Sequence, residues 1–160
     1  MVRIGETAPS FRTAALVDGT LCYIDSAQFS DSWVMLCFVP HLGLIETSFL
    51  DRQAESRHFV RENCALLAVA PEGDVFLQPW MRRVGNLRAI LLIDPLRRLH
   101  RAYAVPRAKI PARCRSFVID PDGLLRFQVL HDLNGRGISI LSEILDASRA
   151  QPARVACRRY

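Results

Sequence analysis

Three short and continuous apolar runs stand out in the first two thirds of the chain. They cover residues 33–39, 65–70 and 89–93, and polar residues or a proline bound each of them. Runs of this length are too short for a typical helix and are typical of strands buried on both faces of a sheet. A helical pattern lies between each consecutive pair. This alternation predicts right-handed parallel crossovers, with helices covering both sides of the sheet.

Two hairpins and two amphipathic helices complete the predicted elements. Asp18-Gly19 and Asp122-Gly123 each separate short apolar segments, and glycine accepts the positive φ that such turns require. Residues 47–62 and 138–147 carry apolar positions at helical spacing. The whole pattern predicts an α/β protein of thioredoxin-like fold, with a central mixed sheet and helices on both faces.

The composition is that of one domain. The chain has 160 residues, half of them apolar, which is enough to bury a core without metals or disulfides. We expect residues 1–150 to form this domain and residues 151–160 to form a basic C-terminal tail. No apolar run approaches the roughly 20 residues of a membrane span, and the first residues lack the layout of a signal peptide. We therefore expect a cytoplasmic protein without a membrane partner.

Cysteine spacing and charge distribution argue against several functions. The five cysteines are odd in number and scattered, with no Cys-x-x-Cys motif and no zinc-ligand spacing to histidine. We therefore expect no disulfide scaffold, no metal site and no cofactor. The net charge of +5 comes almost wholly from arginines spread along the chain, because Lys109 is the only lysine. No aromatic residues interleave a basic stripe, so nucleic-acid binding is not expected.

Several local strings occur in a set order between residues 4 and 147. They are Ile4-Gly5-x-x-Ala8-Pro9-x-Phe11, Asp18-Gly19, the strand that leads into Pro40, Trp80, Asp94-Pro95, Tyr103-Ala104-Val105, the stretch from Phe117 to Gly123, and Gly135-Arg136. Their order and spacing resemble the alkyl hydroperoxide reductase and thiol-specific antioxidant family, the peroxiredoxins. The resemblance implies a thioredoxin-like fold, antioxidant thiol chemistry, a thiol reductant and a homodimer.

The family's active-site loop is matched only in part. In that family a Pro-x-x-x-Thr-x-x-Cys loop opens a helix, and its cysteine attacks peroxide as a thiolate. The resemblance retains Pro40, puts Leu44 in place of the threonine, and puts Thr47 in place of the cysteine. A threonine hydroxyl is too weak an acid to ionise, and oxygen has no counterpart of the thiolate-to-sulfenate step. The resemblance therefore implies a degenerate site without its nucleophile.

The arginine that accompanies this cysteine in the family is also displaced. Its position, three residues before the aromatic of the late hairpin, is taken by Cys114, with Arg113 and Arg115 on either side. Because strand neighbours point to opposite faces, we expect Arg115 to face away from the old site unless a bulge shifts the register. The candidate site is thus made of Pro40, Leu44, Thr47, Cys114 and Arg115.

Two functions stay open at this point. The first is a peroxiredoxin-fold protein that has lost standard peroxidase chemistry and serves in binding, assembly or regulation, with a protein partner. The second is a thiol-dependent peroxide or disulfide oxidoreductase that uses Cys157 or Cys114. Arginines beside Cys157 in the tail favour its thiolate. Cys37 and Cys64 are interpreted as core packing, and His41 as a loop residue facing solvent.

Overall fold

A computed structural model describes residues 2–44, 64–84, 90–107, 113–132, 143, 146 and 147. Its strands are β1 (Arg12–Val17), β2 (Thr20–Asp25), β3 (Trp33–Phe38), β4 (Cys64–Ala70), β5 (Ile90–Ile93), β6 (Cys114–Ile119) and β7 (Leu125–His131). Its helices are α1 (Asp74–Val84) and α2 (Arg98–Ala102), with 3-10 turns at Ser26–Phe29 and Leu42–Leu44. The predicted helix 47–62 and tail 151–160 lie outside the described residues, as does most of the predicted helix 138–147.

All seven strands form one sheet in the order β2-β1-β5-β4-β3-β6-β7. The three predicted apolar strands, β3, β4 and β5, run parallel to one another at its centre. The remaining neighbours pair antiparallel. The sheet is therefore mixed, as the sequence predicts. Every residue of β3 after its first is buried, which explains the continuous apolar run.

Both predicted hairpins are present, and each turn has a physical cause. Asp18 and Gly19 have φ angles of +50° and +77° between the paired residues of β1 and β2, as a two-residue turn requires. In the late hairpin, Gly123 has a φ of +80°. There Oδ1 of Asp120 accepts the amide hydrogens of Asp122 and Leu124 at 3.0 and 2.9 Å. These bonds fix where β6 ends and β7 begins.

The core lies in two layers, one on each face of the sheet. On the α1 face, Leu77 and Trp80 of α1 pack on β3 and β4. On the α2 face, Leu99 and Tyr103 pack on the same strands from the opposite side. The phenol of Tyr103 also donates a 2.9 Å hydrogen bond to the carbonyl of Pro9, which ties down the N-terminal segment. Helices on both faces are therefore confirmed.

Within the described residues, no helix is long and apolar enough to cross a membrane.

Candidate functional site

A cavity of about 420 Å³ opens where β3 ends. Pro40 and Arg115 line it from the sheet, and four further cationic or titratable side chains surround it: Arg97, His100, Arg107 and Arg113. Its apolar wall is formed by Phe38, Val105 and Leu130. None of the described lining residues is acidic. We refer to this site as the arginine cavity.

Strand register decides which predicted residues reach the cavity. Arg115 pairs with Phe38 across β3 and β6, so both side chains stand on the α2 face where the cavity opens. Its neighbour Cys114 points to the α1 face and is buried there. The alternation of Cys114 and Arg115 follows the predicted pattern. From the sequence, Arg115 is expected to face away from the site at Pro40. In the structure Arg115 shares a cavity with Pro40, and Cys114 lies on the opposite face of the sheet.

The turn before α2 brings Arg97 and His100 to the cavity. Asp94 organises this turn, since its carboxylate accepts the amide hydrogens of Arg98 and His100 at 2.9 Å each. It also contacts Nδ1 of His100 at 2.7 Å. Arg97, which directly precedes α2, has a φ of +54° in the left-handed region that non-glycine residues rarely adopt. The chain turns sharply there and carries its guanidinium to the cavity wall.

Among the described residues that line the cavity, the charged side chains are all cationic. Burial lowers the pKa of Arg97, and the nearby guanidinium of Arg107 lowers it further, although Asp94 opposes both effects. Arg113 is paired with Asp132, whose Oδ1 lies 3.6 Å from its Nε. Among the described residues, no ion pair engages Arg97, Arg107 or Arg115. Within the part of the chain that the structure describes, these three charges are therefore open to solvent or a ligand.

A second polar cluster lies on the opposite face of the sheet. It consists of Cys37, Cys114, Ser116 and His131, which we call the thiol cluster. Cys37 pairs with Ser116 between β3 and β6, and Cys114 pairs with His131 between β6 and β7. All four residues are buried. The cluster therefore joins three adjacent strands by side chains that share one face.

Hydrogen bonds orient the histidine of the thiol cluster. His131 Nδ1 lies 2.9 Å from the carbonyl oxygen of Asp132, which can only accept, so this nitrogen carries a hydrogen. Nε2 lies 2.7 Å from the hydroxyl of Ser116. In the neutral ring, Nε2 is then the acceptor of the serine hydrogen. A proton gained by His131 would reside on Nε2, facing the thiols.

Electrostatics within the thiol cluster favour one thiolate. A hydrogen bond from Cys114 lowers the pKa of Cys37 against the opposing effect of burial, and His131 and Ser116 lower it further. The same hydrogen bond and burial raise the pKa of Cys114. Burial lowers the pKa of His131, but contact with Cys37 reverses this and the net pKa is raised. Of the two thiols, Cys37 is therefore the one that ionises more readily.

From the sequence, Cys37 is interpreted as a core residue, because it lies inside an apolar strand. Its burial is confirmed, but it also has three polar neighbours from other strands. Cys114 and Ser116 lie about eighty residues further on, and His131 follows on β7. Only the register between β3, β6 and β7 brings them together. Cys64, at the start of β4, is partly buried.

The remaining predicted site residues are placed as follows. Leu44 ends the 3-10 turn Leu42–Leu44 that follows Pro40. His41 is exposed, as predicted. Thr47 and Cys157 lie outside the described residues, so their contacts stay predictions. Among the described residues, no group of three or more histidine, cysteine or acidic side chains is arranged to hold a metal ion.

Comparison with known proteins gives a consistent result. The model of the AhpC/TSA family matches residues 4–128. Peroxiredoxin tpx1 of Schizosaccharomyces pombe is 28% identical over 156 residues, which cover 91% of this chain and 81% of that protein. Peroxiredoxin-2 of Bos taurus is 29% identical over 157 residues, covering 90% of this chain and 77% of the relative.

Solved structures agree in fold. AhpC of Mycobacterium tuberculosis superposes with a TM-score of 0.78 at 18% identity, and covers 99% of each chain. The reduced 2-Cys peroxiredoxin of Plasmodium vivax gives a TM-score of 0.76 at 20% identity, covering 92% of this chain and 96% of its own. These similarities establish the thioredoxin-like fold.

Proposed function

The chain belongs to the AhpC/TSA family, and from this premise we propose a member that has lost standard peroxidase activity and serves a binding role. One observation carries the proposal. Counted from Pro40 along the family's Pro-x-x-x-Thr-x-x-Cys loop, the residue at the cysteine position is Thr47. Peroxide reduction by the family mechanism needs a thiolate that is oxidised to a sulfenic acid, and threonine cannot supply one.

The surroundings support binding over catalysis. Pro40 and Arg115 line one cavity, which leaves space for a ligand where β3 ends. The cavity holds concentrated positive charge together with an apolar wall. Such a combination suits recognition of a ligand. Without a nucleophile, the same features position a bound molecule instead of activating a reaction.

The purified protein tests this proposal when it is mixed with hydrogen peroxide. We expect consumption close to the uncatalysed rate, and mass spectrometry of all five cysteines should show slow oxidation that merely follows the exposure of each thiol. Rapid and selective oxidation of a single cysteine would instead make the protein an enzyme.

We extend the proposal to a homodimer in the cytoplasm, in line with the family resemblance. The protomer mass is 18.1 kDa. Size-exclusion chromatography with light scattering should give twice this mass. A protomer-sized particle at micromolar concentration would remove the homodimer from the proposal and leave the binding role unaffected.

The thiol cluster favours a second candidate function, a thiol-dependent peroxide oxidoreductase through Cys37 and Cys114. In this reaction the Cys37 thiolate would attack a peroxide oxygen and form a sulfenic acid, while the departing hydroxide takes a proton from protonated His131 and leaves as water. Cys114 would then condense with it, giving a disulfide and a second water, and an external thiol would reduce that disulfide. Both cysteines are 1% exposed, so oxidant must wait for the sheet to open. This barrier places the candidate second.

Variants at the thiol cluster separate the two candidates. If Cys37 is the nucleophile, Cys37→Ser abolishes peroxide consumption, whereas Cys114→Ser leaves a trapped sulfenic acid on Cys37. Cys22→Ser is the matched control, because Cys22 is a partly exposed cysteine on the edge strand β2. Identical, very slow consumption by all four proteins would exclude the oxidoreductase.

A further inference from the structure

We propose that the arginine cavity binds a small organic phosphate monoester, with the phosphate held by Arg97, Arg107 and Arg115. This inference rests on the binding role proposed above and names its ligand class. The volume of about 420 Å³ exceeds what inorganic phosphate alone requires and falls in the range typical of small-molecule sites, about 300 to 1,000 Å³. The cavity therefore has room for an organic part beside the phosphate.

The positive charges that line the cavity favour an anion with more than one charge. Arg113 already has an acidic neighbour, Asp132, at 3.6 Å. The carboxylate of Asp94 is committed to the backbone amides of Arg98 and His100 and to the imidazole of His100. Within the described part of the chain, no carboxylate lines the cavity to compensate the other guanidinium groups. A phosphate monoester carries about −1.5 to −2 at neutral pH, which suits this excess.

Repulsion between two arginines of the cavity favours the binding of such an anion. Arg97 and Arg107 are close enough for the charge of Arg107 to lower the pKa of Arg97. Like charges held together in a concavity raise the local positive potential, and an oxyanion between them relieves it. Guanidinium groups also present pairs of N–H donors that match phosphate oxygens. Arginine at all three positions, with no lysine, fits this chemistry.

The three arginines approach from different elements. Arg115 projects from strand β6, Arg97 from the left-handed turn before α2, and Arg107 from the segment that follows α2. The turn of Arg97 is held by the Asp94 hydrogen bonds that flank it. The backbone of Arg97 is thus fixed before a ligand arrives, which reduces the entropy lost on binding.

An apolar wall accounts for the organic part of the ligand. The ring of Phe38 packs edge-on against His100 with their centroids 4.9 Å apart, which fixes one side of the cavity. Leu130, on β7, lines the cavity while remaining 51% exposed. An aromatic or aliphatic group attached to the phosphate would cover this leucine and gain its burial. Inorganic phosphate would leave it exposed.

Isothermal titration calorimetry on the full chain tests the inference, with phenyl phosphate and inorganic phosphate as probes. We expect phenyl phosphate to bind at least tenfold more tightly than inorganic phosphate. Arg97→Gln and Arg115→Gln should each weaken phenyl phosphate binding by about tenfold or more, as expected for a charge-assisted hydrogen bond. Arg107→Gln changes an exposed side chain and so provides a variant whose folding is not in question. Arg82→Gln, on the exposed surface of α1, is the matched control.

Three outcomes would overturn the inference: no heat with millimolar phenyl phosphate, equal weakening in Arg82→Gln and Arg107→Gln, or equal affinity for the two probes. Its failure is distinguishable from that of the proposed function. Rapid peroxide consumption together with arginine-dependent binding would contradict the proposed loss of peroxidase activity and would support the phosphate monoester as ligand. A protein that neither consumes peroxide nor binds phenyl phosphate would contradict only the proposed ligand.

Discussion

Asp94 and His100 form a buried pair in which the carboxylate Oδ2 and the imidazole Nδ1 are 2.7 Å apart. The same carboxylate accepts two backbone amides, so it has three hydrogen bonds within a single turn of chain. The ring of His100 also supports Phe38 on the cavity wall. This pair therefore links the stability of the α2 region to the shape of the arginine cavity.

The first prediction is that Asp94→Ala destabilises the protein by roughly 3 to 5 kcal/mol, because it removes one partner of a buried pair and leaves two amides without an acceptor. Urea unfolding at pH 7 measures the change. Asp122→Asn is the control, since Asp122 is an exposed acid in the late hairpin, and it should shift the unfolding free energy by less than about 0.5 kcal/mol. Similar losses in both variants would contradict the role given to Asp94.

The second prediction concerns pH. Burial alone would raise the pKa of Asp94, but the hydrogen bonds from the side chain and backbone of His100 and from Leu99 lower it below its ordinary 3.8. A carboxyl group with a lowered pKa stabilises the fold fully above its unfolded pKa, and this contribution is lost as the pH falls through the folded pKa. The stability difference between the natural protein and Asp94→Asn should shrink as the pH falls below about 4. A difference that grows on acidification would reverse the assigned sign.

The third prediction isolates one hydrogen bond. Tyr103→Phe keeps the buried ring and removes only the hydroxyl that donates to the carbonyl of Pro9 at 2.9 Å. We expect a loss of about 1 kcal/mol in unfolding free energy, the typical net worth of such a bond. Tyr23→Phe is the matched control because Tyr23 is 73% exposed on β2, and it should change almost nothing. Denaturant titrations of the three proteins provide the comparison.

Structural features that depend on residues close together in the chain could be predicted from the sequence. The continuous apolar runs predict β3, β4 and β5, and the Asp-Gly pairs predict both hairpins, because periodicity and turn chemistry act over a few residues. The order and spacing of the local strings shared with the family predict the fold as a whole.

The site depended on features that no local pattern contains. That Arg115 shares a cavity with Pro40 follows from the pairing of Arg115 with Phe38, which are 77 positions apart. The thiol cluster likewise follows from the register of three strands. A shift of one residue in β6 would exchange the faces of Cys114 and Arg115, and nothing in their local sequence excludes it. Arg97 could not be predicted as a site residue, because its neighbours in sequence do not show that its turn lies beside the end of β3.

The fourth prediction is an order of thiol reactivity. Cys157 should be alkylated first, because tail position gives access and nearby arginines favour its thiolate. Burial raises the pKa of Cys64 to about 12, so its labelling should be slow. Cys37 and Cys114 should react last, because access limits them even though the pKa of Cys37 is lowered. A timed iodoacetamide pulse with peptide mass spectrometry gives the order. Early labelling of Cys37 would show that the sheet opens readily and would favour the oxidoreductase.

The last prediction is that sulfur alone does not restore the family reaction. Thr47→Cys supplies a nucleophile, yet Leu44 still offers no hydroxyl to orient peroxide, and Glu46 places a negative charge beside the new thiol. If each missing positioning contact is worth about 2 to 4 kcal/mol, each should cost roughly a hundredfold or more in rate. Stopped-flow peroxide consumption should therefore rise in steps from the natural protein to Thr47→Cys, and again on adding Leu44→Thr.

Thr47→Ser is the control for this series, because it keeps a hydroxyl at the position and should consume no more peroxide than the natural protein. Full activity in Thr47→Cys alone would mean that Leu44 and Glu46 do not impair the site and that a single substitution silenced it. Fast consumption by the natural protein that disappears in Cys157→Ser would instead transfer the chemistry to the tail. A stepwise gain is the expected result, because a site released from peroxide chemistry loses its supporting contacts independently of one another.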